Sequence, residues 1–502
     1  MLKRNLIANY LGQGWTALMG LAFIPLYIKY LGIEAYGLIG LFAVLQAWLT
    51  LLDMGMSPTL NREMARFTAG THSATSIRDL LRSIELIALG IATLLALGIW
   101  AASGWLASDW LRAEKLPVDV VAQAFAIMGA VTALRFVEGI YRSAIIGLQR
   151  QVLFNVVNSA MATLRGLGAV GILIWVSPTI EAFFLWQGLV SILTLGMLAS
   201  VTYRTLPDAE RGGQFSIPAL RGIGKFAGGM MLGTLSGLLI SGVDKIVISK
   251  YHTLSEVGYY TLATTVVSIL GILLGPVNQA VFPRFAELMA KGDKTALIQT
   301  FINACQLISV FLGSISLVMI FYSQEIIFAW SKDMHLATAT APITSLLSFA
   351  VFISSPGWML YQVQIAHGKP MIGVNINLIV IAFSFPLYFI LVPAYGLRGA
   401  AYVLIAAGII GLVLHVIFTF RIMVQQCLTD WAIKSILQPI MIALVIVASS
   451  TFFHVYSESR LSNIIFVLVV ALFAVLASLA VAQSLRISVT KNIKSLIRSR
   501  EA

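Results

Sequence analysis

The chain is 502 residues long, 59% hydrophobic and only 11% charged, with a mean hydropathy of +0.91. A soluble domain carries about 25% charged residues, so this composition excludes one and describes a polytopic membrane protein almost throughout. The net charge of +12 is scattered through short loops and forms no compact patch, which excludes a nucleic-acid partner and follows the positive-inside rule instead.

A spanning helix needs roughly 20 apolar residues. The sequence offers fourteen such stretches: about 6–28, 37–60, 82–104, 119–144, 153–176, 181–203, 222–249, 257–282, 296–321, 338–365, 371–393, 397–420, 435–454 and 462–484. The opening MLKRNLIANYLGQGW sets Lys3 and Arg4 before an apolar run without a small-x-small cleavage site, so it reads as a retained first span. Asn5, Asn9 and Gln13 recur every four residues along it, a polar stripe that faces either a cavity or a neighbouring helix. Asp53, in LTLLDMGMSP, stands before a glycine and a proline where the second span is expected to bend. It is read either as the carrier of a coupling proton or sodium ion or as the cap of a broken helix.

The fourth and fifth spans carry the most informative charges. They flank a short basic turn, GLQRQ. Arg135, Glu138 and Arg142 are spaced i, i+3, i+7 and share one helix face; Asn158 and Arg165, seven apart, share a face of the next. A charge at the centre of a spanning helix costs roughly 2.5–3.5 kcal/mol on insertion scales, so such residues normally face a polar interior or a partner. Two cationic, hydrogen-bonding faces therefore point to a water-filled cavity that receives an anion. The competing reading is internal salt bridges that fix helix packing, such as Arg135 with Glu138. Further on, Asp244 and Lys245 are adjacent, point about 100° apart, and lie where Lys245 could either join the anion site or snorkel to the interface.

Of the 33 Lys and Arg, 23 fall on the side of the N-terminus and 7 on the other, and Arg135, Arg165 and Lys245 lie within spans. Both termini are therefore expected in the cytoplasm. The chain also repeats: Lys29, Tyr30, Glu34 and Arg62 recur as Lys250, Tyr251, Glu256 and Arg284, and Tyr141, Arg150 and Asn155 as Tyr361, Lys369 and Asn375. A nearly constant offset implies duplication of a six-helix unit, with both copies inserted the same way up. The expected divisions are a first lobe at 1–203, a cytoplasmic linker at 204–221, a second lobe at 222–421, helices 13 and 14 at 435–484, and a basic cytoplasmic tail at 485–502 resting on anionic lipid.

Catalytic motifs are missing. There is no P-loop, no pair of histidines at zinc spacing, and no loop long enough to build an active site, so neither an enzyme nor a cofactor is expected. The six histidines, at 72, 252, 335, 367, 415 and 454, are scattered and read as interfacial. Cys305 and Cys427 form no disulfide framework.

The opening NLIANYLGQGWTALMGLAFIPLYIKYLGIEAYGLIGL, the stretch LLDMGMSPTLNREMA, the turn GLQRQVLFN and SGVDKIVISKYHTLSEVGYYTLA resemble the multidrug/oligosaccharidyl-lipid/polysaccharide exporter superfamily. The resemblance is to its polysaccharide transporter branch, which contains the Wzx-type O-antigen flippases. It implies an all-α protein of fourteen transmembrane helices, two six-helix lobes plus a final pair, working by alternating access in the bacterial inner membrane. The implied cargo is an undecaprenyl-diphosphate-linked oligosaccharide, moved to the periplasmic leaflet, with Arg135, Arg165 and Lys245 at the family's cationic cavity positions and Arg142 and Asn158 beside them. Coupling to a proton or sodium gradient would fall to Asp53, Glu138 or Asp244. Membrane lipids and, in the same pathway, a polysaccharide polymerase and a chain-length regulator are the implied partners. A lipid II-type flippase or a cation-coupled multidrug exporter are the alternatives; the exporter would want an acidic, aromatic cavity, against which the three bases argue.

Overall fold

The computed structural model describes residues 2–68, 70, 72–207, 211–221, 242–423, 427–453 and 459–482. The expected basic tail at 485–502 and most of the expected span at 222–249 lie outside the described residues. Within them the chain is nearly all helical, with no strand and one isolated bridge. Among the described residues, eleven helical stretches are long and apolar enough to cross a membrane.

The helices that position the site are α1 (Leu2–Ala22), α2 (Ile24–Leu31), α3 (Ile33–Leu52), α4 (Met56–Thr68), α5 (Ala74–Trp105), α6 (Val118–Gly147), α7 (Gln151–Trp175) and α8 (Ile180–Thr205). After the short α9 (Ile217–Arg221) come α10 (Val243–Tyr251) and α11 (Leu254–Lys291). The expected second span is broken. Met54 (φ 47°) and Gly55 (φ 76°) take the left-handed conformation, which ends α3; a non-glycine there costs about 1–2 kcal/mol. Asp53 offsets this by capping α4: its carboxylate accepts from the Ser57 amide at 3.1 Å and from the Ser57 hydroxyl at 2.6 Å.

Packing divides the chain into two compact units, Met1–Gly258 and Tyr259–Ala502. In the first, α6 is the central helix, packed by α3, α4, α5 and α8, while α7 lies against α1 and α8. Its core is apolar, with Leu60, Met64, Ile84, Ile140 and Ala144 fully buried. The outward faces of α5 and α8 are equally apolar, exposing Leu94, Leu97, Leu185 and Ile192, as lipid requires of a spanning helix. Part of the expected linker is fastened down. Asp79 on α5 accepts from Arg211 at 2.7 Å and from the Gln214 amide at 2.7 Å, and Ser83 accepts from the Ser216 amide at 2.8 Å.

A clasp ties α10 and the start of α11 into this unit. The Leu254 amide donates to the Arg112 carbonyl at 2.9 Å, Trp110 Nε1 donates to Ser249 Oγ at 3.1 Å, and Lys250 lies over the Trp110 ring at 5.2 Å. Glu34, buried in the first turn of α3, holds the same loop by accepting from the Glu114 and Lys115 amides at 2.7 and 2.9 Å. Gly37 and Gly258 let α3 and α11 meet backbone to backbone: a Cβ at Gly37 would lie 2.4 Å from the Leu254 carbonyl, and one at Gly258 2.2 Å from that of Ile33.

The second unit continues α11 and holds α12 (Lys294–Phe321), α13 (Ser323–Ser331), α14 (Met334–Ala366), α15 (Pro370–Tyr395), α16 (Leu397–Met423), α17 (Leu428–Phe453) and α18 (Arg460–Val481). Helices α14, α15 and α16 pack together, and α17 and α18 close against α12 and α13. Hydroxyl groups lock that last pair: Ser478 donates to the Pro439 carbonyl at 2.8 Å, and Tyr322 meets Ser450 at 2.6 Å.

Gly37→Leu should lower stability by about 1–3 kcal/mol through overpacking, read as a lower Tm of the purified protein in detergent. Gly98→Leu is the control, because nothing lies within 4 Å of a Cβ there, and its Tm should not move.

Candidate functional site

Helices α6 and α7 run antiparallel from the turn at Leu148–Arg150. At 1.5 Å per residue, Arg142 and Asn158 lie roughly 10 Å from that turn and Arg135 and Arg165 roughly 20 Å. The spacing read in the sequence thus becomes two polar levels within one unit.

At the deeper level Arg135 is caged by neutral groups. Its Nη1 donates to Gln46 Oε1 on α3 at 2.7 Å, its Nη2 to Gln187 Oε1 on α8 at 2.8 Å, and its Nε to Ser191 Oγ at 3.4 Å. The guanidinium also sits 5.0 Å from the centre of the Phe42 ring, a cation–π contact. Every nitrogen of this cation is engaged.

Arg165 is held more loosely. Its Nη2 reaches Thr194 Oγ1 at 3.4 Å and stands 3.6 Å from Glu138 Oε1. The carboxylate of α6 therefore pairs across to α7 and not along its own helix to Arg135. The pair is incompletely satisfied: Glu138 Oε1 and Arg165 Nε are buried and have no hydrogen-bond partner among the described residues. Buried polar atoms are rarely left so, which marks the Glu138–Arg165 gap as a place for a further oxygen or donor. Three guanidiniums on α6 and α7 face a single carboxylate from those helices, and the surplus is positive.

At the shallower level a cavity of about 470 Å³ opens between α1 and the α6–α7 pair. Arg142, Asn158, Gln13, Asn9, Gln151 and Phe154 line it. The stripe on α1 serves both readings it admits. Asn9 donates to Gln151 at 3.0 Å and accepts from Asn155 at 2.6 Å, and Asn158 donates to Thr16 at 3.0 Å, so amides zip α1 onto α7. Gly12 makes the approach possible, since a Cβ there would overlap Asn155 at 2.3 Å. Gln13, by contrast, is exposed on the cavity wall; of Asn5 the side chain lies outside the described residues. Arg142 is exposed and stacks on Phe154 at 5.7 Å, with its guanidinium N–H groups forming no hydrogen bond to the described residues. Of the arginines at 135, 142 and 165, it is the one open to a ligand among the described residues.

The remaining candidates lie apart. Asp53 caps α4, and both its oxygens accept from Ser57. Asp244 and Lys245 sit half-buried in the first turn of α10, after the left-handed Gly242. Among the described residues no group of His, Cys, Asp and Glu has the arrangement of a metal site. Sequence reasoning passed over Gln46, Gln187, Ser191 and Thr194. Gln187, Ser191 and Thr194 recur at i, i+4, i+7 on α8, a polar stripe of the same kind as the one read on the first span.

A family described as polysaccharide biosynthesis protein matches residues 2–289. A putative O-antigen transporter of Shigella flexneri is 20% identical over 405 residues, covering 79% of this chain and 93% of that protein. Among solved structures, the lipid II flippase MurJ in an inward closed conformation aligns with TM-score 0.69 and 15% identity over 94% of this chain and 97% of its own. A multidrug resistance MATE family transporter of the MOP superfamily, inward-facing, aligns with TM-score 0.67 and 12% identity over 81% and 94%. The fold is thus that of these membrane transporters.

The two polar levels should respond differently to mutation. Arg135→Met strips Gln46 and Gln187 of their part-buried donor and should destabilise by about 1–3 kcal/mol. Arg142→Met removes no hydrogen bond among the described residues and should stay within about 0.5 kcal/mol. Thermal melts of both variants in detergent check this.

Proposed function

Because this chain belongs to the polysaccharide biosynthesis protein family, we propose that it is a flippase for lipid-linked polysaccharide precursors, carrying an oligosaccharide on a polyprenyl diphosphate from the cytoplasmic to the periplasmic leaflet of a bacterial inner membrane. The observation that carries this reading is Arg142, an open guanidinium on the wall of a polar cavity, one level shallower than the loosely held Arg165. A diphosphate needs planar, charge-assisted donors, which a guanidinium supplies in pairs. Sugar hydroxyls both donate and accept, as do the amides of Gln13 and Asn158. The lipid tail has no need of the cavity and stays in hydrocarbon.

In this reading the cargo's phosphate meets Arg142 first and Arg165 next, while Arg135 keeps its bonds and contributes field. Lys245 would extend the cationic path. Glu138, pulled from Arg165 by an arriving anion, is the carboxylate best placed to take up a cation, ahead of Asp53 and Asp244. Fourteen helices in two lobes with both termini cytoplasmic, and hand-over of cargo to a polymerase and chain-length regulator, complete the proposal. Export of organic cations is disfavoured by the same charge balance, since a positive cavity repels such substrates.

The test is the sidedness of lipid-linked oligosaccharide in cells lacking this protein. Intact precursor should accumulate on the cytoplasmic leaflet and clear when the wild-type gene is restored. Arg142→Ala, at equal abundance in the membrane, should export at least tenfold less, because a charged hydrogen-bonded contact contributes about 1.5–3 kcal/mol. Precursor that reaches the outer leaflet without the protein would overturn the proposal.

A further inference from the structure

The second unit carries almost no charge within its spans, yet it sets a half-buried histidine, His415, against a buried polar partner left half satisfied. Gln364 on α14 is 1% exposed. Its Nε2 donates to His415 Nδ1 at 3.1 Å and to Thr419 Oγ1 at 2.7 Å, both on α16. An amide nitrogen only donates, so in this arrangement His415 Nδ1 is the acceptor. The other end of the amide, Gln364 Oε1, is buried and has no partner among the described residues. It faces Gly373 on α15, where a Cβ would stand 3.4 Å away.

We propose that His415, Gln364 and Thr419 form a proton-binding site. A proton arriving from water on Nδ1 makes that nitrogen a donor, which then confronts the amide NH2. Turning the Gln364 amide by half a revolution replaces that clash with a charge-assisted bond from Nδ1–H to Oε1, and Thr419 then donates to the same oxygen. The unpartnered oxygen is the acceptor that the charged ring needs. Most buried amides have both ends in hydrogen bonds, and this one keeps an acceptor in reserve.

The surroundings suit a switch more than a permanent charge. Tyr361, whose ring meets that of His415 edge-on at 6.1 Å, is the one titratable side chain in contact with it among the described residues. Gln364 and Gly357 face it from α14 and Thr419 from its own helix, and no charged side chain among the described residues acts on it. An imidazolium here lacks a counter-charge, so proton occupancy depends on how much water the packing admits. The packing contains a weak point. Pro356 lies inside α14 and brings no N–H to the Phe352 carbonyl, which accepts instead from Ser355 Oγ at 2.9 Å. Gly357, next in sequence, lies against the His415 ring. A bend at Pro356–Gly357 therefore changes the hydration of His415, and protonation of His415 in turn favours one bend of α14.

The site is tested on the purified full chain by hydrogen–deuterium exchange at imidazole C2, followed for each histidine by mass spectrometry from about pH 4 to 9, where imidazole exchange reports its titration. His415 should give a sigmoid with a midpoint in that window. Gln364→Glu, which sets a carboxylate against the ring, should raise the midpoint by about 1 unit or more. Backbone amide exchange in α14, corrected for intrinsic rate, should change across the same midpoint in the wild type and lose that dependence in His415→Gln. A His415 that shows no midpoint, a midpoint unmoved by Gln364→Glu, or an α14 response unaltered in His415→Gln would each overturn the proposal. None of these readouts requires cargo, so the site is judged independently of the flippase reading.

Discussion

A guanidinium placed roughly 20 Å along a spanning helix cannot be left to hydrocarbon, and the first unit is arranged around meeting that demand at Arg135. Gln46, Gln187 and Ser191 come from α3 and α8 and converge on one side chain of α6. Their convergence sets the rotation of three helices about their own axes. Amide and hydroxyl acceptors satisfy the cation without cancelling its charge, so the positive field persists where a carboxylate partner would have neutralised it. Glu138 is the obvious candidate for such a partner, three residues away on the same face, yet it turns to Arg165. The fold therefore spreads one negative charge thinly among three positive ones.

Close approach is obtained in two ways, and the choice follows the polarity of the contact. Where α3 meets α11, glycines at 37 and 258 bring backbone against backbone. Where α1 meets α7, Gly12 makes room for an asparagine, and a chain of amides from Asn9 to Asn158 closes the contact. Transmembrane helices gain little from hydrophobic association, so small residues and interhelical hydrogen bonds are the available forces. The amide seam has a further consequence. It leaves a polar wall at its edge, and the cavity opens there with Arg142 on the opposite side.

Much of this was readable from the chain because hydrocarbon makes polarity conspicuous. Arg135, Glu138, Arg142, Asn158 and Arg165 stood out as charges and amides at helical spacing, and the structure gathers all five on α6 and α7. The break after Asp53 was legible in DMGMSP, since a glycine and a proline three residues apart rarely continue a helix. The acceptors of Arg135 were not. Neutral Gln and Ser are common in spans, and which of them meet depends on crossing angles that periodicity along one helix does not contain. The clasp that carries residues 243–258 into the first unit was equally hidden, because its main bond runs from the Leu254 amide to the Arg112 carbonyl and backbone groups have no sequence signature. His415 was read as one of six scattered histidines; its meaning lies in Gln364, fifty-one positions earlier on another helix.

A transport site must bind and also let go, and the contrast between Arg135 and Arg142 bears on that requirement. A pocket of several open guanidiniums would hold a diphosphate strongly enough to stall the cycle, since passage requires binding that is favourable on entry and weak enough on exit. Arg135 cannot join such a clamp without breaking three hydrogen bonds, so it adds field and not contact. Arg165 can join only by parting from Glu138, which makes its engagement a substitution of one anion for another. Of the three arginines, Arg142 would bind on that reading without any exchange among the described residues. On the proposed reading entry would be easy, deeper engagement would be offset by the bond it replaces, and the neutral amides of α1 and α7 would meet the sugars with contacts that water can readily take over. On this view the modest affinity needed for turnover comes from how the arginines are already bonded, and their number matters less than the state of their partners.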